Sequence, residues 1–165
     1  MKLNRIFIIS PLLAAASFSG AAQSSVRVSQ TDFQGPRTME DQTRDAAVRD
    51  YLQSWQAMRD AFEQNRPALL DRDFVGLAKD ELASTIQQQA QLGIHARYRD
   101  HSHDLQLLFY SPEGLSIELA DTVEYEVEVF DQNHSQTVQH VHVRYLVVLT
   151  PSESRWLVRL FQAEA

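Results

Sequence analysis

Ser116-Ile117-Glu118-Leu119-Ala120-Asp121-Thr122-Val123-Glu124-Tyr125-Glu126-Val127-Glu128-Val129-Phe130 is the stretch on which the reading of this chain turns. Ile117, Leu119, Val123, Tyr125, Val127 and Val129 share one parity. Successive side chains of a strand point to opposite faces, so one face is apolar and the other carries Glu124, Glu126 and Glu128. A polar run, 131–136, reads as a loop, and Val138–Thr150 alternates again. A hairpin with Glu128 opposite His140 then sets Glu126 against His142 and Glu124 against Arg144. Its other face pairs Val127 with Val141, Tyr125 with Val143 and Val123 with Tyr145. A one-residue slip would spoil both faces at once, so the parity of this pairing is strongly specified.

Around the hairpin the period changes. Upstream, Val48, Tyr51, Leu52, Trp55, Met58 and Phe62 recur every three or four residues, which predicts a helix over Asp45–Asn65 ended by Pro67. Pro67–Phe74 suggests a short helical turn. Leu77–Leu92 reads as a further helix, with Gly93 where a C-terminal cap belongs. Beyond Gly93, Ile94–Arg99 and Leu105–Tyr110 read as two short strands. Pro112-Glu113-Gly114 is a turn, and Arg155–Gln162 closes the chain as a last strand. Helices first and antiparallel strands afterwards predict an α+β domain. Its N-terminal helices would pack on one face of a curved antiparallel sheet of four or five strands.

The 165 residues divide unequally. Lys2 and Arg5 precede an apolar run, Ile6–Ala16, and then the small residues Ser17, Ser19, Gly20, Ala21 and Ala22. This is the pattern of a signal peptide over 1–22, cleaved after Ala21 or Ala22, and too short for a membrane span. It predicts a bacterial periplasmic or extracellular protein with no stable membrane span in the mature chain. Residues 23–42 are polar and read as a flexible spacer. The folded domain is then 43–165.

Composition excludes several chemistries. With no cysteine there is no disulfide, thiolate metal site, iron–sulfur cluster or thiol nucleophile. The net charge of −7 becomes −9 once Lys2 and Arg5 are removed, which argues against nucleic-acid binding. No phosphate-binding glycine loop, nucleophile elbow or zinc-protease helix is present, and no cofactor is expected.

Ala46-Ala47-Val48-Arg49-Asp50-Tyr51-Leu52-Gln53-Ser54-Trp55 carries a family likeness, as does Gln91-Leu92-Gly93-Ile94-His95-Ala96-Arg97-Tyr98-Arg99-Asp100-His101. So does the end, Val143-Arg144-Tyr145-Leu146-Val147-Val148-Leu149-Thr150 with Arg155-Trp156-Leu157-Val158. Over about residues 45–162 the chain resembles the nuclear transport factor 2-like superfamily (cystatin-like α+β cones, including SnoaL-type proteins). Within it the chain looks most like the IMS-type domain of plastid-division proteins and their cyanobacterial relatives. The resemblance implies either of two styles. Enzymatic members place Asp, His or Tyr in the open end of the cone. Others use the sheet or the cone mouth to bind a protein or to dimerise.

Asp121 is the candidate acid or base. Strict alternation puts it on the apolar face, where a carboxylate would be drawn toward its neutral form. The competing and favoured expectation is a bulge near Ala120–Thr122 that turns it outward. Tyr51, Trp55, Tyr98, Tyr125 and Tyr145 are pocket candidates around it, or simply core. His101/His103 and His140/His142 are His-x-His pairs that could share a metal. For His140 and His142 a polar face opposite Glu126 and Glu128 is the favoured reading, and for His101 and His103 an exposed loop. The glutamate ladder suits calcium poorly, because a flat strand does not converge oxygens. The leading expectation is a non-catalytic domain that binds a protein partner, a second copy through the sheet face, or a small apolar ligand. A cyclase, isomerase or dehydratase using Asp121 is the alternative, and a histidine metal module at His140 and His142 the third.

Overall fold

The structure is a computed structural model, and it describes residues 24–30, 33–132 and 134–164. The expected signal segment lies outside the described residues. Strand β1 (Ser25–Ser29) is followed by helix α1 (Asp41–Gln64), a 3-10 turn at Pro67–Leu70 and helix α2 (Gly76–Gln91). Strands β2 (Ile94–Tyr110), β3 (Ile117–Asp131), β4 (His134–Pro151) and β5 (Trp156–Ala163) complete one five-stranded sheet in the order β1-β2-β3-β4-β5. The helices cover one of its faces, which makes the domain α+β. Pairing is antiparallel from β2 to β5, whereas β1 joins β2 in parallel. The sheet is therefore mixed, and Ser25–Ser29 belongs to it although it falls inside the stretch expected to be a spacer. Val26 and Val28 supply the alternation that a five-residue edge strand needs.

The apolar stripe of α1 buries Tyr51, Trp55, Met58 and Phe62 against the sheet. Asn65 adopts a left-handed conformation (φ 52°) beyond the helix, and its side-chain amide donates to the Ile94 carbonyl at 2.8 Å. Gly93 (φ 72°) follows α2 in the same region, where a Cβ would be strained. Leu105, Leu107, Ile117, Leu119, Val123, Val147, Leu149 and Val158 fill the sheet's side of the core.

Strand β2 corrects the expectation of two short strands. It is continuous, with irregularities between Asp100 and Ser102 and between Leu107 and Phe109. Each extra residue resets the parity of the residues after it. Ala96, Tyr98 and Asp100 face the helices before the first bulge, and His103, Leu105 and Leu107 do so after it. The broken alternation looked like a loop for that reason.

The β3–β4 hairpin keeps the expected faces and differs in register by two residues. Glu126 lies opposite His140, Glu124 opposite His142 and Thr122 opposite Arg144; Tyr125 meets Val141, Val123 meets Val143, and Asp121 meets Tyr145. The polar run 131–136 is mostly strand. His134 pairs with Asp131 across a tight turn in which Gln132 has φ 53°, and one irregularity lies between Val129 and Phe130. A slip of two residues leaves every side chain on its face, so polarity alone could not reject it.

Interstrand backbone NOEs should connect Tyr125 with Val141 and not with Val143. Leu119→Ala should cost about 2–5 kcal/mol in urea unfolding, since Leu119 has no exposed surface.

Candidate functional site

Asp121 has no exposed surface, and its strand pairs without irregularity from Ile117 to Val129. The expected bulge at 120–122 is absent, because pairing with both neighbouring strands holds the alternation through this point. The carboxylate is therefore committed to the core, and the groups around it are arranged accordingly. Tyr51, one helical turn before Trp55 on α1, donates its hydroxyl to Asp121 Oδ2 at 2.8 Å. Trp55 Nε1 donates to the Tyr51 oxygen at 2.8 Å. His103 Nδ1 lies 2.8 Å from the same Asp121 Oδ2. Its other nitrogen is 3.8 Å from Asp100 Oδ2, and that oxygen accepts from Arg59 Nη1 at 2.7 Å. A polar chain thus runs from the indole of Trp55 through the core to a guanidinium near the surface.

His103 is 2 % exposed, which corrects the expectation of a loop residue. The bulge at Asp100–Ser102 turns it inward. One signal in the sequence could have found it: His103 shares parity with Leu105 and Leu107. Burial alone would lower the imidazole's pKa, but the carboxylates of Asp100 and Asp121 outweigh burial and raise it to about 9. The ring is thus an imidazolium at neutral pH, donating to Asp121. Burial first, and then the Asp121 charge, push the Tyr51 hydroxyl far above its ordinary range, so it remains a donor. Burial likewise pushes Tyr98 up to about 12 and raises Tyr145 further.

The six expected pocket residues come together. Trp55 contacts the rings of His103, Tyr125, Tyr145 and Phe161, with centroids 5.1–6.0 Å apart. Tyr98 leans on Tyr125 at 5.6 Å, and the Tyr125 and Tyr145 hydroxyls are 3.1 Å apart. Trp55 is 2 % exposed. Two carboxylate oxygens, Oδ1 of Asp121 and Oδ1 of Asp100, are buried with no hydrogen-bond partner among the described residues.

The outer sheet face is polar and open. Glu126 Oε1 is 3.2 Å from His140 Nδ1 and 3.7 Å from His101 Nε2, while Oε2 accepts from Arg99 at 3.2 Å. His142 is exposed opposite Glu124, and the two share a cleft of about 180 Å³ with His101 and His140. Among the described residues no cluster of three or more metal-ligating side chains has the arrangement of a metal site. A groove of about 690 Å³ lies between β1 and the start of α1, lined by Val28, Val48 and Leu52 with Arg44, Asp45 and Arg49.

No protein-family model matches the chain, and no curated protein matches it in sequence. Solved structures do match in shape. The intermembrane space region of chloroplast protein ARC6 superposes with a TM-score of 0.62 at 17% identity, covering 78% of this chain and 99% of that one. A proposed dehydratase of the NTF2-like family from Streptomyces avermitilis gives a TM-score of 0.50 at 10% identity, over 72% and 96% of the two chains. A proposed scytalone dehydratase from Novosphingobium aromaticivorans gives 0.52 at 9% identity, over 76% and 89%. The chain has the nuclear transport factor 2-like fold. Within this fold Trp55 and Asp121 are both buried between helix α1 and the sheet. Among the described residues no helix is long and apolar enough to cross a membrane.

The raised His103 pKa fixes the sign of a pH effect. A folded-state value above the unfolded value of about 6.5 adds stability that is fully present below pH 6.5 and is lost as pH rises through about 9. The unfolding free energy from urea titrations should therefore fall between pH 6.5 and 9.5, by an amount on the order of 3 kcal/mol. The NMR titration of His103 should have its midpoint near 9, and a midpoint near 6.5 would contradict the buried ion pair.

Proposed function

We propose that this chain is an exported, non-catalytic interaction domain that binds a protein partner through its sheet. The observation that carries this reading is the filled cone: Trp55, Tyr51, His103 and Asp121 are each no more than 2 % exposed. A carboxylate that acts on a substrate needs the substrate within about 3 Å, and here that space is taken by the indole. The polar chain is then a brace. It satisfies Asp121 and clamps α1 to β2 and β3, as buried charges require. The open outer face, with Glu124, Glu126, His101, His140 and His142, offers a polar surface for docking. Export and a periplasmic or extracellular location rest on the basic, apolar and small-residue order of 1–22.

A second reading has one observation in its favour. Asp121 Oδ1 is buried without a hydrogen-bond partner among the described residues, as a general base in a small cyclase, isomerase or dehydratase would be. The two readings separate on whether anything reaches Trp55. Trp156→Phe leaves Trp55 as the single indole of the chain. Its fluorescence should resist acrylamide quenching and ignore added aromatic ketones. Quenching at the rate of an exposed indole, or displacement by an apolar ketone, would sink the brace reading in favour of an accessible site. Asp121→Asn should cost about 3–5 kcal/mol of stability by removing the nearer of the two carboxylates that face the buried imidazolium.

A further inference from the structure

Strand β1 carries the sheet past the cover of the helices. Val26 and Val28 lie opposite His103 and Leu105, which are buried on the helix side, so the two valines point to that side as well. They are nonetheless 44 % and 40 % exposed. The groove of about 690 Å³ lies between Val28 on one bank and Val48 and Leu52 of α1 on the other, with Arg44, Asp45 and Arg49 along the helix. The far edge of β1 is open. It ends the order of the sheet and pairs only with β2, without irregularity from Ser25 to Ser29, and no described strand lies beyond it. In a strand paired on one side only, alternate residues direct their N–H and C=O groups outward. An unpaired strand edge and an apolar trough walled by a helix therefore run side by side.

Together those features select the occupant. A lipid chain or a small apolar molecule would use the trough and leave the backbone groups of β1 to water. An extended peptide uses both: its main chain pairs with the strand, and every second side chain drops into the trough. Charge narrows the choice. The chain as a whole is acidic, at −7, yet the charged lining of this groove is two guanidinium groups against one carboxylate. The side chain of Arg49 is 66 % exposed there. An acidic residue at the end of the peptide is complementary to it and a basic one is not.

We propose that β1 and this groove take an extended segment of a foreign partner protein as a further strand, antiparallel to Ser25–Ser29, with apolar residues at alternate positions and an acidic residue at one end. This rests on the reading of the chain as an interaction domain and names the surface and the kind of segment it holds. Arg27 does not oppose the pairing, because its side chain lies on the outer face, 3.6 Å from Asp104. Five residues limit the ladder to about 17 Å at 3.3 Å per residue, so the contact is short and reversible.

The test is a titration of the isotope-labelled chain, followed by NMR, with a set of acetylated heptapeptides. Each has Val, Ile, Leu or Phe at the second, fourth and sixth positions, Thr at the first, third and fifth, and Asp last. Amide signals should shift at Ser25–Gln30, Val48, Arg49 and Leu52, and not at His140 or His142. Methylating one alternate set of peptide nitrogens, the set that faces β1, should weaken binding at least tenfold, and methylating the other set far less. A closing Lys in place of Asp should weaken binding severalfold at low salt, and the difference should fade as salt is added. Val28→Glu should weaken binding at least tenfold with an unchanged circular dichroism spectrum. The proposal is overturned if no peptide in the set shifts β1, or if the two methylated forms bind alike. Dodecanoate that shifts the same residues and binds more tightly than every peptide overturns it in favour of an acyl chain. Signals of β1 that move with protein concentration alone overturn it in favour of a second copy. None of these results bears on the quenching of Trp55, so failure of the groove is distinguishable from failure of the interaction-domain reading.

Discussion

A carboxylate with no exposed surface governs the rest of this molecule. A carboxyl group buried in an apolar core needs hydrogen-bond partners, and two are brought to one oxygen of Asp121, from Tyr51 on α1 and His103 on β2. Those two contacts tie the helix layer to the centre of the sheet. They fix which face of α1 looks inward, since Tyr51 and Trp55 must both meet the network. They also require β2 to present a histidine to the interior, and the bulge beside Asp100 achieves this. Asp100 and Arg59 then carry the charge balance outward to solvent.

The same arrangement sets the packing around it. The carboxylate, imidazole and phenol of Asp121, His103 and Tyr51 meet at one oxygen, Oδ2 of Asp121. Here the indole of Trp55 is wedged among His103, Tyr125, Tyr145 and Phe161. Tyr51 and His103 hold the Asp121 carboxylate between helix α1 and the sheet, while His140 and His142 stand exposed on the sheet's outer face.

Local periodicity made the helices, the long strands and the two faces of the β3–β4 hairpin legible, because burial of one face imposes period 3.6 or 2 on the residues themselves. Register along the hairpin was not, since acids and bases on one face match nearly as well after a slip of two. The tight turn at Gln132 decides it. His103 was hidden by the bulge, an insertion that reads as disorder in the alternation and as a change of facing in three dimensions. Ser25–Ser29 was missed because a short edge strand owes its pairing to Ser102–Gln106, far along the chain. Asp121 was noticed for the right reason, its parity, and then expected to escape the core that the pairing of three strands denies it.

The final strand has a consequence for the order in which this chain acquires its shape. The backbone N–H of Trp156 is held by Asp50, 106 residues earlier, and Phe161 completes the ring of aromatics around Trp55. Synthesis delivers α1 early and β5 last, so the enclosure of the core must await the carboxyl-terminal residues. Contacts so distant in sequence are slow to find. Until they form, the ring of aromatics around Trp55 lacks one of its members and the core stays open on that side.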